Sequence, residues 1–205
     1  MRILQSFLFV GISVFFFSCS ADLSKVKEGD IIFQTSQSQQ SKAIQLVTHS
    51  TWSHCGLVLA DSSGKLFVLE AIQPVTKTPL KDWVKKGEEK HFVVMRIKNA
   101  DNILTKGILT KMKRIANGFV GKDYDDKFSW NDEKMYCSEL VYKIYFFTTG
   151  IQLASTKPLK DFDLTSSEIK QKLQERYKGK IPMNEPVISP QQLLESTWLM
   201  KVLED

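Results

Sequence analysis

The chain is short of the residues that mark most redox and metal chemistry. Its 205 residues include three cysteines and three histidines. It has no CxxC pair, no zinc-finger spacing and no HExxH, which removes the thioredoxin-like, zinc-finger and zincin readings. His49, His54 and Cys55 are close in sequence, but adjacent strand residues point to opposite faces, so neither a metal nor a cofactor is expected. An excess of one charge is also missing. The formal charge is +5, with lysines interleaved among acids as in Lys85-Lys86-Gly87-Glu88-Glu89-Lys90. That pattern reads as solvated surface, and no nucleic-acid partner is expected. Repeats, low-complexity stretches and linkers are absent, so residues 29–205 read as one domain with room for a sizeable core.

Long apolar runs are limited to Ile3–Phe17, which follows Arg2 and ends at Phe16-Phe17-Ser18-Cys19. The ending is similar to a lipobox, in which a small residue precedes an acylated cysteine. Residues 1–18 are therefore expected to be a lipoprotein signal peptide, Cys19 the lipidation site and 19–28 a tether. An ordinary signal peptide or uncleaved anchor is the alternative. Either way the domain is expected in a bacterial cell envelope, held at a membrane by its lipid anchor and facing the periplasm or on the outer membrane. Ser20, in place of a retention Asp, leans toward the outer membrane.

Strands and helices mix along the rest of the chain, which indicates the α+β class. Patterning predicts strands over 29–34, 52–60, 65–72 and 92–97. It predicts helices over 36–48, 80–86, 102–116, 137–149 and 166–177. Ser189-Pro190-Gln191-Gln192 reads as a capped helix start, and 118–131 as a loop rich in aromatics.

Two segments carry chemistry. Trp52-Ser53-His54-Cys55-Gly56-Leu57-Val58 places a histidine at the start of an apolar strand. Tyr136-Cys137-Ser138-Glu139-Leu140-Val141 places a cysteine at the start of a helix, where the positive end of the dipole favours the thiolate. A histidine beside such a thiol acts as its base. The stripe Cys137, Leu140, Val141, Ile144 is also what a plain core cysteine would show, and a Cys55–Cys137 disulfide is the other bland reading. Strand alternation argues against the disulfide, since it turns Cys55 into the core on the face opposite His54.

The turn at Asp61-Ser62-Ser63-Gly64 can be worked through. A three-residue loop with Gly64 in the left-handed position pairs Asp61 with Lys65. Carried up the hairpin, Gly56 faces Glu70 and His54 faces Ile72. Glu70 becomes a diagonal neighbour of His54, about 7–8 Å away between backbones and within reach of a long side chain. It can then hold the imidazole in one tautomer. Tyr124, Tyr136 and Trp52 are expected to bind substrate, with Phe128 and Trp130 nearby. Simple aromatic packing is the competing reading.

In this order and spacing the chain resembles the permuted papain-like amidases of the YaeF/YiiX type, relatives of the NlpC/P60 hydrolases. The residues that carry the likeness are Gly29-Asp30-Ile31-Ile32-Phe33-Gln34, Trp52 to Val58, Val68-Leu69-Glu70-Ala71, Gly121-Lys122-Asp123-Tyr124-Asp125 with Phe128, Tyr136 to Val141, and Ile188-Ser189-Pro190. Papain itself carries cysteine before histidine; here histidine comes first. The resemblance implies a circularly permuted papain-like core, an antiparallel sheet packed against the cysteine-bearing helix. It implies Cys137 as nucleophile, His54 as base and Glu70 as orienting partner. It further implies cleavage of amides, such as peptide or cell-wall (peptidoglycan) fragments. A lipid acyl hydrolase or acyltransferase on the same fold is the first alternative, and a non-catalytic envelope binding module the second. Cys55 departs from the small apolar residue expected after the histidine, and 151–184 carries no motif of the family.

Overall fold

A computed structural model describes residues 22–205. The leader expected over 1–18 and the lipidation site Cys19 lie outside the described residues. A 3-10 turn at Leu23–Lys25 leads in, and Val26 behind it is buried.

The elements in order are β1 (Ile31–Ser36), α1 (Gln39–Thr48), β2 (His54–Ala60), β3 (Leu66–Glu70), β4 (Thr76–Pro79), α2 (Leu80–Lys86) and β5 (Gly87–Ile97). Then come α3 (Ala100–Ile103), α4 (Lys106–Phe119), α5 (Cys137–Thr149), β6 (Lys157–Pro158), α6 (Ser167–Tyr177), β7 (Pro186–Val187), α7 (Pro190–Leu194) and β8 (Leu199–Glu204). Six strands form one antiparallel sheet in the order β4-β3-β2-β1-β5-β8. The fold is α+β, its sheet backed by the helix that begins at Cys137.

Alternation divides the sheet into two faces. Phe33, Cys55, Leu57, Leu69 and Val93 join the large core under α4 and α5, together with Cys137, Leu140 and Val141. Ile32, Val58, Val68 and Val94 join a smaller core under α2, centred on Trp83. The β2–β3 hairpin has the register expected from its turn, with Leu57 opposite Leu69 and Ala60 opposite Leu66. Gly64 sits at φ 82°.

Gly29-Asp30 owes its place to architecture. Gly29 has φ 91°, and a Cβ there would lie 2.5 Å from Leu104 Cδ1. Its carbonyl accepts the Tyr145 hydroxyl. Asp30, fully buried, takes a fork from Arg96, Nε at 2.7 Å and Nη2 at 2.8 Å. This ties β1 to β5 through a bidentate charged pair.

Three expectations change. The helix expected over 102–116 is two helices, because Thr105 caps a new start by accepting from the Ile108 N–H. The strand expected over 92–97 begins at Gly87 and runs eleven residues. β4 and β8, the two edge strands, were not anticipated.

Candidate active site

The hairpin and α5 meet at one end of the sheet. His54 is the first residue of β2 and Glu70 the last of β3, both on the α2 face. His54 Nε2 and Glu70 Oε2 are 2.7 Å apart, the imidazole almost wholly buried and Glu70 only 2% exposed. Gly56 lies between them on the same face. A Cβ there would come within 2.3 Å of Val68 Cγ1, 2.9 Å of the Leu69 carbonyl oxygen and 3.5 Å of Glu70 Cβ. Only glycine lets β3 close on β2 far enough for the carboxylate to reach the ring.

Cys137 is the first residue of α5 and 2% exposed. Tyr136 before it is extended, and the Tyr136 N–H donates to Glu139 Oε2 at 3.4 Å. The thiol lies within reach of the His54 imidazole, the Cys55 thiol and the Cys55 backbone N–H. Because Nε2 of His54 is engaged by Glu70, Nδ1 is the nitrogen left to face Cys137. Both cysteines are free thiols, so the disulfide alternative does not hold. Cys55 is fully buried on the face opposite His54, as alternation required, and that face is the one α5 covers.

These neighbours set the proton balance. Cys137 is held well below the ordinary thiol range by the hydrogen bond from Cys55. Burial opposes this, and the His54 hydrogen bond and charge add to it. Cys55 is pushed well above that range, first by burial and then by Cys137. Burial pulls His54 down, but hydrogen bonds and charge from Cys137 and Glu70 outweigh it and carry it up to about 10. Burial likewise raises Glu70, and its bond to His54 reverses this, bringing it to about 2. These shifts favour a thiolate on Cys137, an imidazolium on His54 and a carboxylate on Glu70.

A family model for the permuted papain-like amidase enzymes, the YaeF/YiiX or C92 family, matches residues 25–203. The chain belongs to this family of papain-like cysteine amidases. A curated relative, the uncharacterized protein YiiX of Escherichia coli K12, is 42% identical over 177 residues, 86% of each chain. A solved structure titled as that of the metalloprotein yiiX from Escherichia coli O157:H7 is 41% identical. It matches with a TM-score of 0.83 over 88% of this chain and 98% of its own.

Around this amidase core the other expected residues separate. Tyr136 is fully buried and lines a cleft beside Cys137, and its hydroxyl accepts from the Ile188 N–H at 3.2 Å. The Tyr124 phenol is raised well above its usual range, by burial and then by the charge at Cys137, and is not among the residues lining the cleft. Trp52 stacks on His91 with centroids 5.0 Å apart and is not among the residues lining the cleft. Phe128 lines the cleft, whereas Trp130 packs against Tyr142 and under Lys143.

That cleft has a cavity volume of about 70 Å³. Its walls are mainly apolar, with Ile44 and Val47 from α1, Ile169 and Leu173 from α6, and Leu159 and Ile188 from the connecting segments. Its charged lining groups are Lys172 and Arg176, both cations. The segment that carried no family motif, 151–184, thus builds much of one wall.

Two site residues escaped the sequence reading. Thr78 and Trp83 both donate to Glu70. Trp83 lay in a helix that was expected, but nothing in its spacing told which pole of the sheet that helix would cover.

Proposed function

We propose that this amidase works through Cys137 as nucleophile, His54 as acid and base, and Glu70 as the group that orients His54. The observation that carries this reading is the continuous line of contacts from Cys137 through His54 to a buried, ionised Glu70. The thiolate attacks an amide carbonyl, and the tetrahedral oxyanion falls near the Cys137 backbone N–H at the start of α5. His54 gives its proton to the departing amine, leaving Cys137 acylated. His54, now neutral, takes a proton from water, which cleaves the thioester and releases the acid. Kinship with NlpC/P60 hydrolases is in keeping with this chemistry, and cell-wall peptides or related amides are the first substrate class.

A second reading is favoured by the cleft beside Cys137. An apolar wall with two cations suits an acyl chain with an anionic end better than a polar peptide. On that reading the carbonyl attacked belongs to a lipid amide or ester. With residues 1–18 as signal and Cys19 lipidated, the domain would sit at an envelope membrane, near such substrates. Among the described residues no helix is long and apolar enough to cross one.

The residues present do not fit the metal implied by the solved relative's title. Glu70 already takes donors on both oxygens, and both His54 nitrogens are engaged. The two thiols that remain fall short of the three protein ligands of a catalytic zinc. Among the described residues no group of three or more His, Cys, Asp or Glu is placed to hold a metal ion. No step is routed through a metal.

The test is a panel of amides and esters with short polar and long apolar acyl groups, read by mass spectrometry for an acyl adduct on Cys137. Adducts from the amides, absent in Cys137→Ser, support the reading. Turnover that survives Cys137→Ser removes it. Adducts confined to long-chain esters move the substrate class to lipids.

A further inference from the structure

α2 lies across the sheet face from which His54 and Glu70 project. Its Trp83 is fully buried and touches both of them. The indole stacks on the His54 imidazole with centroids 5.9 Å apart at 24°. Its Nε1–H donates at 2.9 Å to Glu70 Oε2, the oxygen that also meets His54 Nε2 at 2.7 Å. From the neighbouring β4, where Thr76 lies opposite Glu70 and Thr78 opposite Val68, Thr78 donates its hydroxyl to Oε1 at 2.5 Å. Lys86, at the end of α2, stands 3.5 Å from the same Oε1.

A buried tryptophan ordinarily finds some acceptor for its N–H, so the hydrogen bond alone would suit a core filler. The combination is what a filler does not require. One ring fixes the plane of the imidazole and also the oxygen to which that imidazole bonds. A hydroxyl on the opposite side fixes the other oxygen. With donors from two elements, the carboxylate plane has one orientation left.

We propose that Trp83 and Thr78 are positioning residues, a clamp that holds Glu70 and, through it, keeps His54 aligned on Cys137. The clamp rests on the Cys137–His54–Glu70 reading above. The charged and titratable groups that face its members are Lys86 and His54 on Glu70, Glu70 and Cys137 on His54, and Cys55 and Tyr124 on Cys137. A loosened Glu70 holds the imidazolium less well, and the thiolate loses its counter-charge, so the thiol takes up its proton at higher pH.

The test uses Trp83→Phe, which keeps a ring and removes the N–H, and Thr78→Val, which keeps the shape and removes the hydroxyl. Each is made alone and in a Glu70→Gln background. Iodoacetamide labelling of Cys137 is followed across pH by mass spectrometry, with melting temperatures alongside. In each single variant the labelling midpoint should rise by about one pH unit. In the Glu70→Gln background neither change should add to the effect. Unshifted midpoints in the single variants, whatever their melting temperatures, overturn the clamp. Equal shifts with and without the Glu70 carboxylate overturn it too, because the action would not pass through Glu70. An ordinary thiol midpoint in the wild-type protein removes the underlying site reading itself.

Discussion

Two glutamates lie in the interior within a few side chains of Cys137, and they take opposite protonation states. Glu70 is 2% exposed and Glu139 fully buried. Burial raises both. Glu70 nevertheless falls to about 2, whereas Glu139 rises to about 8. The difference lies in the donors. Glu70 takes His54 and Trp83 on one oxygen and Thr78 on the other, with Lys86 beyond. Glu139 has Lys143 Nζ at 2.8 Å from Oε1 in poor hydrogen-bond alignment, and that cation lowers Glu139 less than burial raises it. Lys143 is itself shared with the Asn131 carbonyl and Asp132. A buried carboxylate is ionised by hydrogen bonds aimed at it more than by one cation nearby. At neutral pH Glu70 is an anion that can hold an imidazolium, and Glu139 is largely a neutral helix cap.

Activity breaks this comparison most sharply. Cys137→Ser should lower amide hydrolysis by on the order of 10³-fold or more while the protein stays folded. Glu70→Gln should cost about 10²-fold or more, because the ring keeps a neighbour but loses its anion. Glu139→Gln should change turnover by less than about threefold, since it replaces a mostly neutral acid by a neutral amide. Turnover is measured on the best amide of the panel, with circular dichroism to check folding. A Glu139→Gln loss as large as that of Glu70→Gln would erase the distinction.

The pH dependence of stability sharpens it. Glu70 has its folded value depressed from 4.5 to about 2, so its contribution is present above about 4.5 and is lost as pH falls toward 2. Glu139 has its folded value raised from 4.5 to about 8, so it costs stability progressively as pH climbs from 4.5 to 8. His54, raised from 6.5 to about 10, stabilises fully below 6.5 and loses that contribution as pH rises through 10. Denaturant midpoints between pH 3 and 9 should therefore flatten on the alkaline side in Glu139→Gln and on the acid side in Glu70→Gln. The reverse assignment would contradict the donor argument.

Smaller effects belong to the packing that lets Glu70 reach its donors. Gly56→Ala should destabilise by about 1–3 kcal/mol, measured by denaturant unfolding, as its methyl meets Val68 and the Leu69 carbonyl. Cys55→Ala should cost on the order of 1–2 kcal/mol in the core. It should also raise the labelling midpoint of Cys137, since it removes a hydrogen-bond donor to the thiol, yet leave hydrolysis in place. A Cys55→Ala protein that folds and does not turn over would make Cys55 part of the chemistry.

Local rules carried the sequence reading a long way. The Gly64 turn set the β2–β3 register, and with it the His54–Glu70 diagonal and the burial of Cys55 on the other face. The helix limits at Cys137–Thr149 and Leu80–Lys86 were also legible. The Ser189 cap accepts from the Gln192 N–H as expected. What stayed hidden depended on long-range placement. β4 is a four-residue edge strand containing Pro79, with no pattern of its own, yet it brings Thr78 to Glu70. β8 follows an irregular stretch and pairs with β5, far away in sequence. The resemblance implied a sheet packed against the cysteine-bearing helix, without saying which face that helix covers. α5 packs on the Cys55 face, and His54 meets Cys137 from the first position of β2. Alternation says which residues share a face, but not which helix will cover it.

The most direct test is the rate of iodoacetamide labelling at Cys137 across pH, in the wild-type protein and in His54→Ala. Rapid labelling near pH 6 that is lost in His54→Ala is the expected result, because the thiolate depends on the neighbouring imidazolium. Slow labelling at pH 6, rising only toward an ordinary thiol midpoint and unchanged by His54→Ala, would contradict an activated Cys137.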